Sequence, residues 1–177
     1  MKRLTWGPRF WFVVSAVLAL ALDQVSKWLV RAHLTPHVPQ RVFGETLRFI
    51  LTNNEHGLFG ISYGAPWMHY ALPLVVVVLV IYLAWRSPDR WTGIGLGLVL
   101  GGGVSNNLID RVRFGSVVDF IDMGTRTWRW YTYNLADAFA VAGVIMILTH
   151  EFLGWGRRKP AATADSKAGK PSPPGPG

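Results

Sequence analysis

Two carboxylates in this chain sit where a carboxylate is expensive to keep. Asp119 lies in GSVVDFID, among Val, Phe and Ile, and Asp137 lies in YTYNLADAFAVAGVIMIL (131–148), a stretch that starts polar and becomes apolar enough to enter a bilayer. Apolar neighbours disfavour the ionised form, so Asp119 is expected to hold its proton more tightly than a solvated aspartate does. Asp137 falls at the third position of a helix if Asn134 caps it, and there free backbone N–H groups and the helix dipole stabilise its charge. Taken alone, Asp137 reads as a helix-start residue. If the fold brings the two carboxyls together, repulsion leaves them sharing one proton near neutral pH, one serving as base toward water and the other as acid toward a carbonyl oxygen. The same two acids could equally form a proton or cation path, or an oxygen-ligand metal site.

Other polar residues in apolar surroundings also need partners, because an unpaired charge within a span costs several kcal/mol, on the order of 3. Asp23 and Lys27 are four apart on one helical face, which reads first as an intrahelical ion pair, with Lys27 also able to snorkel outward. Asp110 and Arg111 are adjacent, point apart and need separate partners. Arg111 is either a helix-end anchor or a fixed cation for a carboxylate or lipid headgroup. Asn54, Asn106, Asn107 and Asn134 gather near one expected surface. Amides suit gripping an extended peptide backbone, while turns and helix caps are the plainer use, above all for Asn134.

Several chemistries are excluded. The chain has no Cys, which removes thiolate nucleophiles, Cys-ligated zinc and disulfides together. Its five His (33, 37, 56, 69 and 150) show no HExxH spacing. No GxSxG or Ser/Lys constellation stands out, and Gly101-Gly102-Gly103 is followed by no GK[ST], so it is not a phosphate loop.

These residues must be positioned by membrane helices. Half of the 177 residues are hydrophobic and only 16% are charged, so water is a poor solvent for most of the chain. The formal charge of +8 does not indicate nucleic-acid binding, since Lys and Arg sit beside apolar runs. Four stretches approach the roughly twenty residues that cross a hydrocarbon core: 10–30, 67–85, 91–109 and 135–152. The first also resembles a cleavable signal peptide, with Lys2, Arg3 and ALA at 19–21, but its apolar character resumes at Trp28 to Val30, which favours an uncleaved span. In the third, Gly93, Gly97 and Gly101 line one face and allow close helix approach.

Four spans place both ends on one side, with RSPDR (86–90); the basic residues near the ends put that side in the cytoplasm. Two longer connections, 31–66 and 110–134, then face outward. RVFGETLRFILTNN reads as short strands broken by Gly44, and SVVDFIDMG with RTWRWYTYN as a small sheet at the outer interface. The segment 1–154 is read as one membrane domain, and 155–177, rich in Lys, Ser, Pro and Gly, as a disordered tail.

LDQVSK (22–27), NNEHGLFG (53–60), GGGVSNNLIDR (101–111), GSVVDFI (115–121) and YNLADAF (133–139) resemble, in order and spacing, the motifs of the lipoprotein signal peptidases, signal peptidase II. The resemblance covers about residues 10–152. It implies an all-α membrane protein of four transmembrane helices with a small extramembrane β-cradle, and a catalytic pair falling on Asp119 and Asp137. It further implies that Asp23, Lys27, Asn54, Gly103, Asn107, Arg111, Asn134 and Ala136 support or line the site. The implied reaction is aspartic endopeptidase cleavage of a diacylglyceryl prolipoprotein just before its lipidated cysteine, in the bacterial cytoplasmic membrane. Membrane lipid is the other expected partner. No nucleic acid, metal or organic cofactor is called for, and the chain is expected to act as a monomer. The family usually has Gly where this chain has Asn106, and Gly-x-Ala where it has His56, Gly57 and Leu58.

Overall fold

The computed structural model describes residues 6–55 and 67–155. Lys2, Arg3, the His56–Leu58 departure, the basic residues at 157–159 and the tail beyond 155 lie outside the described residues.

Helix α1 (Pro8–His33) opens on a proline, whose missing N–H costs nothing in the first turn, and runs unbroken through the ALA segment. Its buried residues, Phe12, Ser15, Ala19, Asp23, Lys27 and Val30, recur at three- and four-residue steps and form a single stripe. Val13, Val17, Leu18, Leu22 and Val25 face outward. That stripe meets α3 (Arg90–Val104), which is the central helix because glycines thin it on two faces. A Cβ on Gly93 would lie 2.5 Å from the Pro8 carbonyl oxygen, and one on Gly97 or Gly101 would strike the backbone of Phe12 or Ala16. On the other face Gly95 would strike Gly143 and Ile147, and Gly102 the backbone of Ala136, both on α5 (Leu135–Trp155). Close backbone approach of this kind supplies van der Waals contact where lipid removes the hydrophobic drive between helices. Ser15 donates across the contact to the Ile94 carbonyl at 3.1 Å.

The outer faces of these helices are apolar and exposed. Leu74, Val75 and Val78 on α2 (Met68–Trp85), and Val141, Ile145 and Leu148 on α5, are solvated only if the surrounding medium is oily. Among the described residues three helical stretches are long and apolar enough to cross a bilayer: Pro8–His33, Arg90–Phe114 and Leu135–Leu153. The apolar part of α2, Tyr70–Trp85, is shorter.

The helix ends sort into two levels. Arg9 donates to the Trp85 carbonyl at 3.3 Å, Gly93 abuts Pro8, and His150 lies 3.7 Å from Asp89, so the start of α1, the end of α2, the start of α3 and the end of α5 share one end of the bundle. The opposite end carries an antiparallel sheet, ordered β1 (Gln40–Phe43), β2 (Leu47–Asn54), β3 (Val117–Met123). Gly44, at φ 54°, turns β1 into β2, as its place between the two apolar runs predicts. The register pairs Thr52 with Asp119 and Asn54 with Val117. RTWRWYTYN contributes only isolated bridges, Gly124 to Arg129 and Ile121 to Tyr133, so half of the expected outer segment is a strand and half is not. Val30, Leu51, Val118, Phe120 and Ile121 form the core that seats the sheet on the end of α1.

The third helix does not end as a plain α-helix. Residues Ser105–Asp110 form a π-helical turn, followed by the short α4 (Arg111–Phe114), and Gly115 at φ 70° reverses the chain into β3. A π-turn is wider than an α-turn, so consecutive residues diverge less in direction, and here Ser105, Asn106 and Asp110 are all buried.

Candidate active site

Five segments meet where the sheet sits on the bundle: α1, the π-turn, β2, β3 and the start of α5. Asn134 caps α5. Its Oδ1 accepts from the Asp137 backbone N–H at 3.0 Å, and the Asn134 N–H donates to Asp137 Oδ2 at 3.2 Å, a reciprocal box that satisfies two otherwise orphaned donors. With Oδ1 so engaged, Asn134 Nδ2 faces the other way and donates to Asp119 Oδ1 at 2.7 Å. One amide therefore caps the helix and ties both acids together. Asn54 Nδ2, from β2, donates to Asp119 Oδ2 at 3.1 Å.

Asp119 is 4% exposed. Burial, and then the charge of Asp137, push its carboxyl up to about 7, against the lowering effect of the Asn54 and Asn134 donors and of Lys27. A carboxylic acid that keeps its proton near neutral pH beside a second carboxyl is the arrangement that acid–base hydrolysis needs. Asp122, three residues along the strand, is also buried, but it points to the opposite face and is consumed by Arg48 at 2.6 Å and Arg129 at 2.5 Å.

Beneath the pair lies a charged cluster. Lys27 Nζ is 2.6 Å from Asp23 Oδ2, 2.8 Å from Asp110 Oδ2 and 2.5 Å from Asn106 Oδ1. Lys27 is 2% exposed, so the option that it snorkels outward is not realised. The i,i+4 pair with Asp23 is, and Asp110 makes it a triad. Asp23 also accepts from Ser105 Oγ at 2.6 Å and, through Oδ1, from the Ala136 N–H at 2.8 Å, one of the free donors of the first turn of α5. Asp110 accepts from Gln24 Nε2 at 2.8 Å and from the Val118 N–H at 3.1 Å. Asp23 thus docks α5 and Asp110 docks β3, which sets the separation of the segments that carry Asp137 and Asp119.

Of the residues expected at the site, Asp23, Lys27, Asn54, Asn134 and Ala136 converge with Asp119 and Asp137. Gly103 and Asn107 do not touch the pair. Asn107 donates to the Gly103 carbonyl at 3.1 Å, and both line a groove of about 190 Å³ against Tyr70, Pro73, Leu74 and Val77 of α2. Arg111 is buried and directs Nη1 to the Glu55 carbonyl at 3.5 Å. Sequence reasoning grouped Asn106 with the amides suited to gripping a peptide backbone, and gave no site role to Ser105 or Gln24. A signal for Gln24 existed: a polar residue between Asp23 and Lys27 in an apolar helix needs a partner. Among the described residues no group of three or more imidazole or carboxylate side chains forms a cage for a metal ion.

Fold and site together define a membrane helical bundle with two amide-linked acids at one rim. A family model described as signal peptidase (SPase) II matches residues 15–153. A lipoprotein signal peptidase of Brucella ovis is 38% identical over 167 residues, covering 90% of this chain and 98% of the relative. One of Mycolicibacterium smegmatis is 34% identical over 165 residues, covering 87% and 68%. The structure of a bacterial membrane enzyme obtained by the in meso method superposes with a TM-score of 0.75 at 23% identity, over 86% of this chain and 93% of that one. That likeness shows the fold. The chain belongs to the signal peptidase II family.

Proposed function

We propose that this chain is an aspartic endopeptidase of the bacterial cytoplasmic membrane that removes signal peptides from diacylglyceryl prolipoproteins, cutting just before the lipidated cysteine. The observation that carries the reading is the Asn134 amide, which holds the Asp119 carboxyl and the start of the Asp137 helix in one hydrogen-bonded unit. In the proposed reaction the ionised carboxylate takes a proton from water as its oxygen attacks the scissile carbonyl, and the protonated partner gives its proton to the carbonyl oxygen. The tetrahedral adduct collapses with proton transfer to the cysteine nitrogen. This yields a carboxyl end on the signal peptide and a free amine on the lipidated cysteine.

Depth supports the same reading. The acids lie where β3 and the start of α5 meet the bundle end, so water reaches them without crossing hydrocarbon. A diacylglyceryl anchor would hold the cut site at a fixed depth and turn a search in volume into lateral diffusion. We place α2 as a fourth crossing, with 16 apolar helical residues (70–85) reaching about 24 Å at 1.5 Å each and its flanking turn completing the span. Four crossings put both termini in the cytoplasm and the site at the outer face.

The test uses purified protein in lipid nanodiscs with a precursor supplied with and without the diacylglyceryl group. Cleavage of the lipidated form alone, with product masses placing the cut before the cysteine, is expected. An intact lipidated precursor, or proton flux in vesicles without any cleavage, would replace this reading with transport by the same acids.

A further inference from the structure

All three donors of Lys27 are accounted for at the site. Its ammonium carries three N–H bonds and has three acceptors: Asp23 Oδ2, Asp110 Oδ2 and Asn106 Oδ1. An ammonium only donates, so the oxygen of the Asn106 amide must face Lys27, and its nitrogen must face away. That nitrogen donates to Asp137 Oδ1 at 2.9 Å, with Asn134 Oδ1 at 3.3 Å as a second acceptor. Asp137 Oδ2 already accepts the Asn134 N–H. Both oxygens of Asp137 therefore act as acceptors, one of them toward an amide polarised by a cation on its far side.

Asp119 also receives two donors, from Asn134 and Asn54, but neither of these amides accepts from Lys27, whose three donors go to Asp23, Asp110 and Asn106. The two acids of the pair are thus inequivalent, and the inequivalence runs through a single side chain. Hydrogen bonds in series polarise one another, and a charge-assisted bond is roughly twice as strong as a neutral one.

Resting on the peptidase reading above, we propose that Asn106 is a positioning residue. Its amide transmits the charge of Lys27 to Asp137, keeps Asp137 the ionised base of the pair and leaves the shared proton on Asp119 as the acid. Charged groups face Asp137 from several elements. From α1, Lys27 attracts its negative charge and Asp23 repels it. Asp110, on the π-turn, is engaged by Lys27, Gln24 and the Val118 N–H. Arg111, next to it, is directed at the Glu55 carbonyl. From β3, Asp119 is the second acid itself. Asn106 and Asp110, four residues apart in the π-turn, both reach the ammonium.

The test compares wild type with Asn106→Gly and Asn106→Asp on the lipidated precursor, with thermal midpoints measured in parallel. Asn106→Asp keeps the acceptor for Lys27 and replaces the donor facing Asp137 by a second carboxylate oxygen. A purely structural role would lower the thermal midpoints and leave the acid limb of Asn106→Gly where it lies in wild type. The relay predicts a fall in kcat of about 100-fold with KM within about twofold. Asn106→Gly removes the relay and is expected to move the acid limb of the kcat/KM profile up by about one pH unit, because Asp137 then ionises less readily. An acid limb unmoved in both variants, with wild-type kcat, overturns the proposal.

A second measurement stands even where a variant folds poorly. In infrared difference spectra at pH 5.5, the protonated-carboxyl band of the pair is expected in wild type and in Asp137→Asn, and lost in Asp119→Asn. The reverse pattern places the proton on Asp137 and overturns the assignment. Loss of cleavage in Asp119→Asn with no Asn106 effect removes this inference alone. Full cleavage in Asp119→Asn removes the peptidase reading beneath it.

Discussion

Replacing Lys27 by Met is expected to destabilise the fold by about 3–5 kcal/mol, the cost of removing one partner from a buried ion pair. Met matches the lysine stem in length, so packing along α1 is largely kept and the loss is electrostatic. It leaves Asp23 and Asp110, both fully buried, facing each other across the vacated ammonium position. Neither can turn to water, because Asp23 is committed to Ser105 and Ala136, and Asp110 to Gln24 and Val118. Since these bonds dock α5 and β3, the damage spreads to the spacing of the two acids above. The check is the thermal midpoint in micelles at pH 7 for Lys27→Met, and for Lys27→Met with Asp110→Asn. The single variant should melt far below wild type, and the double variant should recover a substantial part of the loss. A single variant within about 1 kcal/mol of wild type would show that the triad is not what holds this end together.

Asp119→Asn is expected to act in the opposite direction on stability, and only at higher pH. The folded protein holds the Asp119 carboxyl near 7, whereas an unfolded aspartate titrates near 3.8. The folded state therefore binds this proton more tightly, and the associated stability is present below the unfolded value and lost as pH rises through 7. Above 7 the buried carboxylate is a burden to the fold, by about 4 kcal/mol as an upper bound. An amide at 119 cannot ionise, so the midpoint difference between variant and wild type should widen in favour of the variant from pH 4.5 to pH 8. A difference that is constant across that range would mean that Asp119 titrates as an ordinary surface acid.

Much of this arrangement was legible because polar residues in apolar helices have few excuses. Asp23, Lys27 and Asp110 needed partners, and they found each other. Asn134 read as a cap and is one, and Asp137 stands at the third position as the capping reading requires. The sheet followed from alternating apolar residues around Gly44. What was not legible follows from geometry that local pattern does not encode. A π-turn has no composition signature, so the widened end of the third helix could not be read from the sequence. Lys27 reads as a residue able to snorkel until Asp110, 83 positions later, is brought beside it. Asp119 and Asp122 look alike in VVDFIDM, and only the strand register separates a paired acid from one taken by Arg48 and Arg129. Gly103 and Asn107 belong to the right helix but to its other side, facing α2.

The central claim is that two acids from distant parts of the chain work as one catalytic unit at the rim of the bundle. Its most direct test is the cleavage rate of the lipidated precursor by Asp119→Asn and by Asp137→Asn, each shown by thermal midpoint to be folded. The account predicts that each substitution alone lowers the rate by roughly 1000-fold or more, the scale expected when one member of an acid–base unit is removed. A folded variant of either kind that keeps even a tenth of the wild-type rate would contradict it.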